Sequence, residues 1–307
     1  MPALTSYTKL LTAAQAEKLR VLISDKGFRI DEKPHCLYAG AGDKVNIAVY
    51  AKGPKVVVQG RGAEDFVKFT LEPEVLGVAE MGYEEVIHPE RYTPHIGVDE
   101  SGKGDFFGPL VIAGVYADAE VARALQAMGV MDSKRISGDA RIETLARQMR
   151  TIPGLVFDVI VIGPERYNAL YLKFGNLNKL LAWGHAKVIE NLLERVPGCP
   201  RALSDQFANP RVLQNALQAR GQKILLQQRT KAESDPAVAA ASIFARQGFV
   251  QWLRETGDRL GVDLPKGASN AVKSAAGNVT ARHGPAMLEQ VAKMHFRTAR
   301  ELGDLNL

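Results

Sequence analysis

The chain has 307 residues, 46% of them hydrophobic and 24% charged, which excludes global disorder and leaves room for two domains. Its net charge of +5 favours a polyanionic partner, and no apolar run approaches the roughly 18 residues of a membrane span. Cys36 and Cys199 lie far apart and match no metal-ligand spacing, so a soluble, cytoplasmic protein with reduced thiols is expected. The charge is uneven: residues 1–70 carry +4, residues 71–90 carry −6, and the remainder carries +7. The acidic strip, with Pro73, Gly77, Gly82, Pro89 and Pro94, reads as a linker over 73–94 between domains at 1–72 and 95–307.

In chain order, Thr12 and Gln15 form a capping-box signature, and Ala16, Leu19, Leu22 and Ile23 then recur at helical spacing as far as Gly27. Three short strands follow at Cys36–Ala39, Lys44–Tyr50 and Lys55–Gln59, separated by turn residues. Val45, Ile47, Val49, Val56 and Val58 fall on one face, and Lys44, Asn46, Tyr50, Lys55 and Gln59 on the other. A helix near Ala63–Leu71 closes a small α+β module. Its polar sheet face is either a solvated surface or a grip on nucleic acid.

The second domain opens with strands near 96–99 and 109–116, then alternates helices and strands. Helices are expected at Ala119–Met128, Arg141–Arg150, Glu165–Phe174, Leu177–Leu193, Arg211–Arg220, Pro236–Thr256, Asn270–His283 and Ala286–Glu301. Further strands are expected at Val156–Ile162, Arg201–Ser204 and Lys223–Leu226, which argues for an α/β domain with a mixed sheet.

Between the first two strands lies Asp99-Glu-Ser-Gly-Lys-Gly-Asp-Phe-Phe-Gly-Pro109. Neither a P-loop, where Ser or Thr follows Gly-Lys, nor the dinucleotide fingerprint fits this glycine spacing. Acids at a strand end beside a glycine-rich turn and a lysine suit a divalent cation next to a phosphate. Two further acids, Asp205 and Asp235, sit where other strands or turns end, and a pair of cations held by such carboxylates can cleave a phosphodiester. Asp205 is equally able to cap the turn after it. Asp235 before Pro236 is equally a helix N-cap, with Glu233 two residues earlier as the rival ligand.

The segment Asp99–Val111 resembles the signature of the type 2 ribonucleases H, in the form carried by bacterial ribonuclease HIII. Asp132-Ser-Lys134, Asn176-Leu-Asn178, Lys231-Ala-Glu-Ser234, Ala237–Ile243 and Val291-Ala-Lys-Met-His-Phe296 are similar to the same family. The resemblance spans about 95–300. It implies a ribonuclease H-like mixed sheet flanked by helices, preceded by a small α+β domain like the TATA-binding protein that aids substrate binding. It implies endonucleolytic cleavage of the RNA strand of RNA/DNA hybrids with two Mg²⁺ (or Mn²⁺) ions, leaving 5′-phosphate and 3′-hydroxyl ends; separately, a monomer is expected. It places the metal quartet on Asp99, Glu100, Asp205 and Asp235, the last open to exchange with Glu233. Substrate contacts are expected at Ser101, Gly102, Lys103 and Gly104, then at Ser133, Lys134, Asn176 and Asn178, where the two asparagines are equally helix caps. The alternatives are cleavage at single ribonucleotides in duplex DNA, as in ribonuclease HII, and hybrid binding without catalysis. Lys103 argues against the first, because ribonuclease HII usually carries Gly-Arg-Gly at the turn.

Overall fold

The computed structural model describes residues 4–78, 84–130, 133–217, 221–230 and 232–304, which form two compact units divided between Glu90 and Arg91. Asp132, Lys231, the end of the helix expected to reach Arg220, and part of the acidic strip therefore lie outside the described residues.

The first unit is an antiparallel five-stranded sheet under helices. In chain order it comprises β1 (Ser6–Leu10), α1 (Ala13–Asp25), β2 (Arg29–Asp31), β3 (Cys36–Gly42), β4 (Val45–Tyr50), β5 (Lys55–Gln59) and α2 (Ala63–Phe66). The strand order is β1-β5-β4-β3-β2. Thr12 caps α1 as expected: its hydroxyl accepts from Gln15 N at 3.1 Å, and the Gln15 side chain accepts from Thr12 N at 2.9 Å. Val45, Ile47, Val49, Val56 and Val58 are all buried against Leu19, Ile23 and Phe66, while Asn46 and Gln59 are exposed. Two strands went unread. In β1 no residue is fully buried, and β2 has three residues, so neither carries an alternation strong enough to register. The closing helix is longer than expected. After α2 the chain continues as a π-helix through Pro73 to Leu76, because Leu71 and Val75 belong to the unit's core. The short helix α3 (Glu84–Ile87) lies in the remainder of this unit.

The second unit is built on β6 (His95–Ser101), β7 (Leu110–Ala117), α4 (Ala119–Ala127), α5 (Asp139–Met149), β8 (Val156–Ile162), α6 (Pro164–Phe174), α7 (Leu177–Arg195) and β9 (Arg201–Asp205). Then follow α8 (Pro210–Ala216), β10 (Leu225–Arg229), α9 (Pro236–Leu260), α10 (Asn270–His283), α11 (Pro285–Val291) and α12 (Arg297–Asp304). The sheet order is β10-β9-β6-β7-β8: β6 and β9 run parallel, as do β9 and β10, while β7 is antiparallel to both β6 and β8. The apolar run of β7 is covered on both faces, as such central strands require. One core gathers around α9 and the other around α7.

Small residues let α9 sit tightly on the sheet. A Cβ on Gly97 of β6 would lie 2.3 Å from Val238 N, so the start of α9 rests directly on the strand backbone. The last expected helix divides into α11 and α12. Between them the backbone serves another segment: Phe107 bridges Ala292, and Lys293 N donates to Phe106 O at 2.8 Å. An amide used in that way is lost to a helix.

Candidate active site

The parallel ladder of β6 and β9 runs Ile96 to Ala202, Gly97 to Leu203 and Val98 to Ser204. One step further along the two chains are Asp99 and Asp205, so neighbouring strands bring these carboxylates to the same carboxyl end of the sheet, where α/β folds characteristically bind ligands. Asp99 is buried and its Oδ1 accepts from Glu100 N at 2.8 Å. Asp205 Oδ1 accepts from Ala232 N at 3.4 Å, which sets the single turn Ala232–Ser234, and with it Glu233, beside that acid.

Glu100 is held from two sides. Its Oε2 accepts from His185 Nε2 at 3.0 Å and its Oε1 from Lys103 Nζ at 3.1 Å. Burial works against its charge, but His185 and then Lys103 outweigh it and hold the carboxyl down to about 2. His185 is itself fully buried on α7, with Nδ1 3.1 Å from Ser204 Oγ and its ring edge-on to Phe207. Sequence reasoning missed it. No local motif surrounds His185, and only the packing of α7 under β6 and β9 brings it to Glu100.

Asp235 has partners of its own, His95 and, at 4.0 Å, Arg229. It is fully buried at the N-cap of α9, where its Oδ1 accepts from Ala237 N at 2.9 Å and Val238 N at 3.4 Å. The same oxygen lies 2.8 Å from Nε2 of His95, which donates from Nδ1 to Thr93 O at 2.7 Å. His95 begins β6, four residues before Asp99, a separation of about 13 Å along a strand. Among the described residues no three His, Cys, Asp or Glu side chains form a ready-made metal cage. Glu100 is turned to Lys103 and His185, and Asp235 to His95. The remaining donor set still fits a hard divalent cation, since Asp99, Glu100 and Asp205 offer carboxylate oxygens at two adjacent strand ends.

Beside these acids opens a cavity of about 300 Å³ lined by Glu100, Ser101, Gly102, Lys103, Gly104 and Asp105 on one side. Ser133, Lys134, Arg246, Phe249, Val250 and Lys266 complete it. Six of the eight expected substrate contacts are therefore gathered there. Asn176 and Asn178 are not among the lining residues: Asn176 caps α7, its Oδ1 accepting from Asn178 N at 2.7 Å. Two cations that sequence reasoning passed over, Arg246 and Lys266, are joined through Asp139, which pairs with them at 3.2 and 2.6 Å. Arg246 also donates to the carbonyls of Ser133 and Ile136, fixing the turn that carries Ser133 and Lys134.

The glycines of the turn differ in their reasons. Gly102 has φ +86°, and a Cβ there would lie 2.2 Å from Pro109 O, so the fold requires glycine. A Cβ on Gly104 would meet nothing within 4 Å. Its bare backbone is not a packing requirement and leaves the cavity wall open to an incoming chain.

The family model described as Ribonuclease HII matches residues 96–299, and this coverage, with a mixed five-stranded sheet presenting acids at its carboxyl end, defines a type 2 ribonuclease H. Ribonuclease HIII of Chlamydia trachomatis serovar L2 (strain ATCC VR-902B / DSM 19102 / 434/Bu) is 43% identical over 300 residues, covering 97% of each chain. Ribonuclease HIII of Protochlamydia amoebophila (strain UWE25) is 41% identical over 298 residues, again covering 97% of both. Among solved structures, Bst-RNase HIII in complex with Mn²⁺ superposes with a TM-score of 0.66 at 27% identity, covering 98% of this chain and 99% of that one. Aquifex aeolicus RNase H3 gives 0.55 at 31% identity, with 95% and 100% covered. The chain belongs to the ribonuclease HIII branch of that family.

Proposed function

We propose that this chain is a metal-dependent endonuclease that hydrolyses the RNA strand of RNA/DNA hybrids, leaving 5′-phosphate and 3′-hydroxyl ends. The observation that carries the reading is the arrival of Asp99, Glu100 and Asp205 at adjacent strand ends, beside a glycine turn and four cationic side chains. Asp99, Glu100 and Asp205 would hold two Mg²⁺ or Mn²⁺ ions, and the geometry favours Glu233, in the turn that touches Asp205, as the fourth ligand over Asp235. When bound, the two ions supply an activated water and charge stabilisation for the leaving oxygen. Lys103, Lys134, Arg246 and Lys266 draw the phosphates of the hybrid into the cavity and orient them. The 2′-hydroxyl distinguishes RNA from DNA, and the unobstructed backbone at Gly102–Gly104 reads it from the minor groove. His185 keeps Glu100 ionised and aimed at the strand ends.

The polar face of the first unit, with Lys55 over the Tyr50 ring at 5.6 Å, suits phosphate contact and stacking, which supports a substrate-binding role like that of the TATA-binding-protein fold. No described helix is long and apolar enough to cross a membrane, and a cytoplasmic monomer is the working form in this reading. The test compares cleavage of a long RNA/DNA hybrid with that of duplex DNA carrying one ribonucleotide. Preference for the hybrid is expected; dominant cleavage at the single ribonucleotide would move the activity to the ribonuclease HII type. Metal-independent binding with no turnover on either substrate would reduce the protein to a hybrid binder.

A further inference from the structure

Lys293 lies fully buried in the break between α11 and α12. Burying an ammonium is costly unless its donors are met, and it has three. Here they meet three carbonyl oxygens: Asp105 O at 2.9 Å, Phe107 O at 3.3 Å and Gly108 O at 2.6 Å. The backbone N–H of the same residue donates to the remaining carbonyl, Phe106 O, at 2.8 Å. A single residue thus collects all the carbonyls of 105–108. The rings of Tyr167 and Phe249 close the shell at 5.7 and 5.9 Å from Nζ. Other bonds hold the segment's outer side. Phe106 N donates to Gly267 O at 2.9 Å, Gly267 N to Asp105 Oδ1 at 2.6 Å, and Gly108 N to Val291 O at 2.9 Å.

Residues 105–108 directly follow the Gly102–Gly104 turn, Asp105 lines the same cavity, and Gly102 packs back onto Pro109. We infer that Lys293 is a positioning residue for substrate recognition: by gripping the carbonyls of 105–108 it sets where the Gly102–Gly104 turn meets the RNA strand. It touches no reacting atom. The inference rests on the reading of that turn as the hybrid contact, and the experiment separates the two.

Steady-state cleavage of a long hybrid is measured on the full chain at saturating Mn²⁺. Burial pushes the Lys293 pKa down to about 7, with Asp105 working against the shift, so the assay is run near pH 6.5, where the ammonium form prevails. Lys293→Met keeps the stem and removes the donors. KM should rise about tenfold with kcat within about twofold and the Mn²⁺ dependence unchanged, the pattern of lost uniform binding. Lys293→Arg, which restores charge and donors, should recover part of that KM. A purely structural role would instead lower kcat with the folded fraction, and a folded Lys293→Met with wild-type KM overturns the inference. Gly104→Ala, whose added Cβ meets nothing of the protein within 4 Å, is measured alongside. If it leaves KM unchanged, the reading of the turn fails and takes the inference with it; if it raises KM while Lys293→Met does not, only the role of Lys293 fails. Should Lys293→Met not fold, Tyr167→Leu decides, since it removes one ring from the ammonium: a KM rise of about threefold at constant kcat supports the role, and no rise overturns it.

Discussion

Glu100 is tied to His185 on one side and Lys103 on the other, and this shapes how the site responds to acid. Its folded pKa, about 2, lies below the ordinary value of 4.5, so its contribution to stability is complete above about pH 4.5 and lost as pH falls toward 2. Urea midpoints of the metal-free protein measured from pH 6 to pH 2.5 should show this component, and Glu100→Gln should flatten it; an unchanged acid limb in that variant would count against the His185 and Lys103 contacts. At Asp99 the expectation concerns chemistry. Asp99→Asn should lower hybrid cleavage by about 1,000-fold or more while hybrid affinity stays near wild type, because the cationic wall is untouched. A wild-type rate in that variant would remove Asp99 from the site.

At the scale of elements, the start of α9 gives two acids two residues apart different surroundings. Asp235 caps the helix and faces His95, while Glu233 sits in the turn beside Asp205. Asp235→Ala should therefore act mainly on stability, by about 3 kcal/mol in chemical denaturation, through the lost cap and the stranded buried histidine. Glu233→Gln should leave stability alone and cut kcat about 100-fold. The reverse pattern would return the fourth ligand to Asp235. The break at 292–296 teaches a related lesson. Its apolar spacing is helical, yet Ala292 and Lys293 turn their backbone to Phe106 and Phe107.

For the molecule as a whole, charge and modularity bear on substrate capture. If the polar sheet face of the first unit binds the hybrid, the double variant Tyr50→Ala/Lys55→Ala should raise KM severalfold at constant kcat. It should also lower the slope of log affinity against log salt by roughly one for the lost phosphate contact. Unchanged affinity and slope would make that face a solvated surface.

Several features were legible because they are local. The capping box at Thr12, the alternating valines of β4 and β5, the buried β7 and the signature at Asp99–Val111 each lie within a short window where spacing maps directly onto geometry. Other features escaped because their causes are distant in the chain. His185 reaches Glu100 across 85 residues, and Lys293 reaches Gly108 across 185. The sequence by itself determined the family, the elements and the chemistry on offer, since local spacing and residue type specify those. Only the tertiary structure brought the turn of Glu233 to Asp205, His185 to Glu100, and Lys293 to the carbonyls of 105–108, because each depends on a contact that exists once the sheet and its helices have packed.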